Sequence, residues 1–215
     1  MSAQAAPVIV PTGLNPGDTY RLAFVTSTTR DATSSNIADY NAFVTAVASA
    51  SPFLAALGTT WTAIASTATV DARNNTNTNV HVDGPGTAIY NLNDQLVAVG
   101  NADFWDGVLS SPILFDELGN VNDATVWTGT RVTGERAPPT PLGLIPDGTI
   151  GLSSQTSSFW TDASTSDILS TFHFYALSAE LVFPVASDPV PEPATLAFLA
   201  LGLAGLGLAG RRRRR

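Results

Sequence analysis

Apolar and polar residues alternate in short runs along most of the chain, and these runs predict β-strands. The first run, Tyr20–Ser27, is rich in β-forming side chains and predicts a core strand. Over Ile37–Ser49 the apolar residues instead recur every three or four positions, which predicts an amphipathic helix. Asn36 stands where the N-cap of that helix would lie. Trp61–Ser66 then predicts the next strand.

The later runs are shorter and are separated by turns and loops. Arg131–Gly148 carries four prolines and predicts a long irregular loop. One main helix near the N-terminal end accompanies many short strands, and there is no βαβ rhythm. The pattern therefore predicts an α+β fold. The later strands are predicted at Ala88–Tyr90, Gln95–Val99, Ala124–Gly129, Thr149–Gly151 and Leu169–Leu181, the last of which fits one strand or a pair.

The pattern changes near the C-terminus. Ala194–Gly210 is a run of seventeen residues without charge, in which only Thr195 is polar. As a helix this run would rise about 25 Å, slightly less than the hydrocarbon thickness of a typical bilayer. It therefore predicts a transmembrane helix. Two polar segments flank the run: Pro191, Glu192 and Pro193 before it, and Arg211, Arg212, Arg213, Arg214 and Arg215 after it.

The terminal arginines predict the orientation of this helix. By the positive-inside rule they stay on the cytoplasmic side of the inner membrane, so everything before Pro191 is expected outside. The two prolines before the run oppose a continuing helix and favour an extended segment. A plain C-terminal anchor and a buried hairpin helix are the alternatives.

The order of these three parts closely resembles the PEP-CTERM sorting signal of Gram-negative bacteria. The resemblance rests on Pro191-Glu192-Pro193, the Leu/Ala/Gly-rich span and the terminal arginine run. It implies that an exosortase, a membrane protease-transpeptidase, cuts near the Pro-Glu-Pro and passes the protein outward. It also implies a precursor anchored in the inner membrane, a final place on the cell surface or outside the cell, and an organism that makes exopolysaccharide.

These features divide the chain into five segments. We expect an N-terminal segment at 1–12, an extracellular α+β domain at 13–184, a linker with the Pro-Glu-Pro at 185–193, a transmembrane helix at 194–210 and the arginine tail at 211–215. Met1–Pro7 has no basic start and no apolar run, although Ala3-Gln4-Ala5 is similar to a signal-peptide cleavage region. We therefore expect the first segment to be a remnant of a signal-peptide region and the natural start to lie upstream.

Composition limits the partners and the chemistry of the domain. The chain has no lysine, and the five arginines before Arg211 face eighteen acidic residues, a formal charge of −13. Such a charge argues against nucleic acid or an anionic membrane surface as a partner. The chain has no cysteine, so disulfides and thiolate chemistry are excluded.

A second resemblance covers roughly Tyr20 to Phe183. The sequence is similar to bacterial extracellular domains related to the endostatin and C-type lectin-like folds. The resemblance implies a helix after the first strand and a final strand that pairs near the start. The calcium-dependent sugar tripeptides Glu-Pro-Asn and Gln-Pro-Asp are absent, so the fold can carry over without sugar binding. The matching stretches are Ala23–Thr28, Leu57–Thr67, Asp71–Arg73, Phe115–Asn120, Val126–Thr130 and Phe159–Asp162.

Four tryptophans raise the question of sugar stacking. We expect Trp61 and Trp127 in the core. Trp105 with Asp106, and Trp160 with Asp162, lie in loop-like sequence and are the candidates for an exposed ligand-binding surface.

Two clusters could hold a metal ion. Asp116, Glu117, Asn120 and Asp123 gather oxygen ligands of the kind that calcium prefers, although not in EF-hand spacing. The alternative is a polar turn whose carboxylates cap backbone N–H groups. The histidines His81, beside Asp83, and His173 could form a metal site or a His-Asp pair. A solvated loop pair and a half-buried strand histidine are the alternatives.

The sequence thus predicts an exported, non-enzymatic surface or matrix-associated protein, with the exosortase and the inner membrane as partners and no cofactor beyond the calcium alternative. A lectin-like module that binds exopolysaccharide is a second interpretation. A secreted hydrolase is a third, which the absence of a Gly-x-Ser-x-Gly elbow disfavours.

Overall fold

The computed structural model describes residues 6–184. The chain divides into two units, Met1–Phe183 and Pro184–Arg215, and the fold below is that of the first. The predicted transmembrane span at 194–210, the Pro-Glu-Pro and the arginine tail lie outside the described residues.

The described residues form nine β-strands, five α-helices and one 3-10 helix. One helix, α1, has fourteen residues and the other four have four residues each, so the prediction of an α+β domain with one main helix is confirmed. In chain order the elements are β1 Thr19–Val25, α1 Ile37–Ala50, α2 Pro52–Ala55, β2 Trp61–Ala63, α3 Ala72–Asn75, α4 Val80–Asp83, β3 Ala88–Asn91, β4 Leu96–Ala98, α5 Asn101–Phe104, β5 Thr125–Trp127, β6 Asp147–Leu152, the 3-10 helix Ser158–Trp160, β7 Ser164–Asp167, β8 His173–Ser178 and β9 Leu181–Val182.

All nine strands belong to one mixed sheet in the order β4-β3-β1-β8-β5-β6-β7. Strand β1 lies inside this order, parallel to β3 and antiparallel to β8. Off the main path, β2 pairs with β8 and β9 pairs with β1. The β9 pairing joins Thr19 to Val182 and Tyr20 to Leu181, so the two ends of the domain meet in neighbouring strands.

The side chains of β1 fill a core on each face of the sheet. Successive residues of a strand point to opposite faces. Leu22 and Phe24 accordingly join the cluster that includes α1, whereas Ala23 and Val25 join a second cluster with Phe104, Trp160 and other aromatic residues. Since both faces are covered, β1 is apolar at nearly every position, which is typical of a buried strand.

Helix α1 begins as the sequence predicts. The Asn36 side chain accepts a hydrogen bond from the Ala38 N–H and caps the helix, so the predicted N-cap is confirmed. Tyr40, Val44 and Val47 point from one face of the helix into the first core. The Tyr40 ring stacks on Phe174 of β8, with the ring centres 5.1 Å apart.

Two differences from the sequence expectation concern the sheet. Strand β7 has the sequence Ser-Thr-Ser-Asp and lies at the edge of the sheet, where it is mostly exposed. It was not predicted because a polar edge strand carries no apolar alternation. The predicted loop Arg131–Gly148 ends two residues early, because β6 begins at Asp147 rather than at Thr149.

Tyr175 provides a test of the second core. Its buried hydroxyl donates to the Trp160 carbonyl, and burial raises its pKa. An unfolded tyrosine ionises near pH 10, so the stability that Tyr175 contributes is present below that pH and is lost as the pH rises above it. We expect Tyr175→Phe to lower the free energy of unfolding by about 1 kcal/mol at pH 8, for the lost hydrogen bond. Between pH 8 and 11 the variant should lose less stability than the wild type.

Urea unfolding of the full chain in mild detergent at both pH values measures this difference. Groups that titrate in both proteins contribute equally to the pH dependence of stability, so their contribution drops out of the comparison between wild type and variant. Parallel losses of stability would contradict the burial of Tyr175.

Candidate functional site

Two pockets lie side by side next to α4 and α5 and share Asn101 in their walls. The first, which we call the Arg21 pocket, has a volume of about 300 Å³. The second, which we call the Trp105 pocket, has a volume of about 290 Å³. The polar side chains of the first are Arg21, Asn77, Asp83, Thr87, Asn101 and Glu180, and those of the second include Arg73, Asn79, His81, Asp106 and Thr133.

Arg21 reaches its pocket from the central strand β1. The side chain is buried, with 7% of its surface exposed. Its Nε donates to the Ser178 carbonyl at 2.7 Å, and its Nη2 donates to the Thr76 carbonyl at 2.8 Å. Burial lowers the pKa of Arg21 to about 10, while the negative charges of Glu180 and Asp83 act in the opposite direction. Arg21 therefore remains charged at neutral pH.

Asn101 separates the two pockets and opens α5. The residue is 2% exposed, and its Nδ2 donates to the Gly84 carbonyl at 2.9 Å. Gly86 has a φ of +68° and packs so closely that a Cβ there would overlap the Asn101 amide. Glycine suits this position on both counts, because it accepts a positive φ and carries no Cβ.

Trp105 lines its pocket, but not as the exposed stacking surface that the sequence suggested. The residue is 8% exposed, and its Nε1 donates to Thr78 Oγ1 at 2.8 Å. Its ring packs against Phe104, and a Cβ on Gly134 would lie 2.6 Å from Trp105 Cδ2. The expectation of an exposed indole face is wrong, because the backbone at Gly134 and the aromatic core cover the ring. The neighbouring Asp106 is exposed and lines the same pocket.

The expectation that Trp160 is exposed is also wrong. Trp160 is 1% exposed and packs among the rings of Phe104, Trp105 and Tyr175. The 3-10 turn directs the adjacent Phe159 outward, with 52% of its surface exposed. Asp162 is exposed, and it does not line either pocket.

The other two tryptophans lie where the sequence places them. Trp61 and Trp127 are both buried, and both belong to the core that includes α1. The Trp61 ring meets Phe24 of β1 edge-on, with the ring centres 5.0 Å apart.

The carboxylates proposed as calcium ligands cap backbone N–H groups. Asp116 and Glu117 are buried. Asp116 Oδ1 accepts from the backbone N–H groups of Leu118 and Asn120, at 2.9 and 2.8 Å. Glu117 accepts from the backbone N–H and the hydroxyl of Ser27. These hydrogen bonds are the ones that the alternative interpretation, capping of backbone N–H groups, expects.

The remaining members of this cluster form fewer side-chain hydrogen bonds or are exposed. Asn120 donates its amide to Asp116, and Asp123 is exposed. Within residues 6–184, no three His, Asp or Glu side chains form a group that could hold a metal ion.

The histidines occupy separate elements. His173 is half-buried in β8, and its Nδ1–H donates to the Thr26 carbonyl. The alternative of a half-buried strand histidine is thereby confirmed. His81 is exposed on the one-turn helix α4 and lines the Trp105 pocket.

The class of protein follows from its two parts, a mixed sheet-rich α+β domain and a C-terminal sorting signal. Residues 189–215 match the family model of the PEP-CTERM protein-sorting motif. The expected sorting signal is therefore confirmed, and it supports an exported surface or extracellular protein that an exosortase processes. No curated protein matches the chain.

The motif also bears on the membrane prediction. It implies a membrane-anchored precursor that is exported to the cell surface. Across residues 6–184, no helix is both long enough and apolar enough to cross a bilayer. The predicted span at 194–210 lies outside that range and stays a prediction.

Glu117 tests the assignment of the acidic cluster. We expect Glu117→Ala to lower the free energy of unfolding by about 2–3 kcal/mol, because a buried charged acceptor and both of its hydrogen bonds are lost. Asp123→Ala, at an exposed position of the same cluster, should change it by less than about 0.5 kcal/mol.

Both variants and the wild type are unfolded with calcium and with a chelator present. Neither condition should shift the midpoint. A calcium-dependent rise in the wild type that Glu117→Ala abolishes would instead establish a calcium site.

Proposed function

We propose that the folded domain is a non-catalytic binding module that exosortase-dependent sorting displays outside the cell. The match of residues 189–215 to the PEP-CTERM motif carries this proposal. The uncharged run before Arg211 holds the precursor in the inner membrane, and the arginines fix its orientation. The Pro-Glu-Pro offers an extended segment for cleavage.

The topology supports an endostatin-like or C-type lectin-like fold. Helix α1 is the first helix after β1, and the last strand, β9, returns to pair with β1. Both features agree with what the resemblance implies. Both hydrophobic cores contain packed aromatic rings, whose burial stabilises a domain that has no disulfides.

The positions of the charged side chains support a non-catalytic role. Asp116 accepts from turn backbone, Glu117 accepts from Ser27, and His173 donates to the Thr26 carbonyl. Groups committed to structural hydrogen bonds in this way are poorly placed to exchange protons with a substrate. A secreted hydrolase is therefore the less favoured alternative.

The Trp105 pocket favours carbohydrate as the partner of the module. It is lined by the apolar residues Val80, Ala102 and Trp105 and by polar side chains that include those of Asn79, His81 and Asp106. Asp106 Oδ1 accepts from the Val108 N–H, and its Oδ2 accepts no hydrogen bond from the described residues. An apolar wall with a few directed polar groups is the usual makeup of a small-molecule site. Exopolysaccharide at the cell surface is the proposed ligand.

The sorting step is tested in the native cell. Replacing Pro191, Glu192 and Pro193 together by alanine should leave the precursor uncut, because the exosortase loses its recognition segment. Asp188→Ala, just outside the matched residues, serves as the control. Intact mass spectrometry of the recovered protein should show loss of the tail in the wild type and the control. A trimmed triple variant would contradict the proposal.

The carbohydrate proposal is tested on a glycan array with the full chain in mild detergent. Asp106→Asn should reduce the bound signal about tenfold, because a charged acceptor becomes a neutral amide. Asp162→Asn, an equal change of charge away from the pocket, should have no effect. Trp105→Ala is unsuitable, since truncation of a buried tryptophan destabilises the fold by about 3–5 kcal/mol. Absence of signal, or equal loss in both variants, would refute carbohydrate binding at this pocket.

A further inference from the structure

The Arg21 pocket holds opposite charges that are close together but do not pair. Arg21, Asp83 and Glu180 are all among its lining residues. The ion pairs formed by residues 6–184 are Arg73–Glu135 and Arg136–Asp71, and neither involves this pocket. A buried cation and two carboxylates therefore face the same space without neutralising each other directly.

Arg21 retains hydrogen-bonding capacity. A guanidinium has five N–H groups. Three of them donate to the carbonyls of Ser178, Thr76 and Asn77, the last at a long 3.5 Å. The other two have no acceptor within the part of the chain that the structure describes. A ligand carboxylate that enters the pocket could accept from these N–H groups, and charge-assisted bonds between guanidinium and carboxylate are among the stronger hydrogen bonds.

Asn101 is a second buried group with an unused atom. Its Nδ2 is bound to the Gly84 carbonyl, whereas its Oδ1 accepts no hydrogen bond from residues 6–184. Asn101 is almost fully buried and lines the pocket. This oxygen lies close to Gly86, another residue of the pocket lining, and is able to accept a hydrogen bond from a ligand.

The carboxylates supply further acceptors. Asp83 Oδ2 accepts from the Asn79 N–H, which leaves Asp83 Oδ1 free. Glu180 is exposed and forms no hydrogen bond within the described range. The lining of the pocket thus combines two N–H donors of the Arg21 cation with two negative charges and the Asn101 oxygen.

We propose that the Arg21 pocket binds a small zwitterion of the α-amino-acid class. The ligand carboxylate binds the Arg21 guanidinium, and the ligand ammonium group binds Asp83, Glu180 and Asn101 Oδ1. A simple anion is disfavoured by the two carboxylates and by the formal charge of −13 before Arg211. A simple cation is disfavoured by the buried guanidinium. A neutral polyol would form hydrogen bonds here but would match neither charge.

The proposal extends the binding role to a second site and does not depend on carbohydrate binding at the Trp105 pocket. It is tested with the full chain in mild detergent, by thermal shift against the twenty free L-amino acids at millimolar concentration. A ligand that binds only the folded state raises the unfolding temperature. We expect at least one amino acid to do so, and its methyl ester and its N-acetyl derivative to bind at least tenfold more weakly by calorimetry.

A variant of Glu180 tests whether the amino acid binds in the Arg21 pocket. Glu180→Gln should weaken binding of the same amino acid about tenfold, because one charge-assisted contact becomes neutral. Glu180 is exposed and unbonded, so this change leaves folding intact. Asp162→Asn removes an equal charge outside the pocket and should leave affinity unchanged.

Three results would overturn the proposal. These are the absence of any stabilising amino acid, equal affinity for the ester or the N-acetyl derivative, and stabilisation by glucose in place of amino acids. Equal weakening by Glu180→Gln and Asp162→Asn would also refute it, by assigning the effect to overall charge. A glycan-array signal that persists in Glu180→Gln would show that the carbohydrate proposal stands independently.

Discussion

The burial of β1 on both faces is the constraint on which the rest of the domain depends. Leu22 and Phe24 fill one core and Ala23 and Val25 the other, while β3 and β8 occupy both edges of the strand. Arg21 places a charge in this strand that is largely buried. A buried charge is tolerated only when it is hydrogen-bonded. The turn after α3 and the end of β8 supply the required carbonyls, and the polar pocket forms where these segments converge.

This constraint explains which parts of the fold could be predicted from sequence. The strand at β1 has a run of β-forming side chains, and the helix capped by Asn36 has an apolar residue every three or four positions. Both elements lie close to where these patterns place them. Strand β7 has no such pattern, because its place is set by pairing with β6. The tryptophans show a further limit. Phe159 and Trp160 are adjacent, and only the 3-10 turn decides that Trp160 enters the core while Phe159 faces solvent.

The Arg21 pocket could not be found from sequence. Its residues come from β1, from the segments around α4 and α5, and from the connection between β8 and β9, so no local spacing brings them together. The sequence held one indication of this pocket, the charge of Arg21. Arg21 is a lone cation in an otherwise apolar strand of a chain without lysine, and such a residue must find its partners elsewhere in the fold. The acidic cluster is the opposite case, because its dense local pattern suggested a metal site, whereas Asp116 caps its own turn and Glu117 binds Ser27 in a distant segment.

The position of the sorting motif relative to the last strand bears on what reaches the exterior. Strand β9 ends at Val182, whereas the matched motif begins at residue 189. A cut near the Pro-Glu-Pro would therefore fall after every strand of the sheet and after Glu180, the last polar residue of the Arg21 pocket. The pairing of β9 with β1 would survive processing, since all of its hydrogen-bonding residues precede the cut. The residues of both pockets precede the matched motif, which begins at residue 189. The exported form would therefore keep both pockets whether or not the tail remains attached.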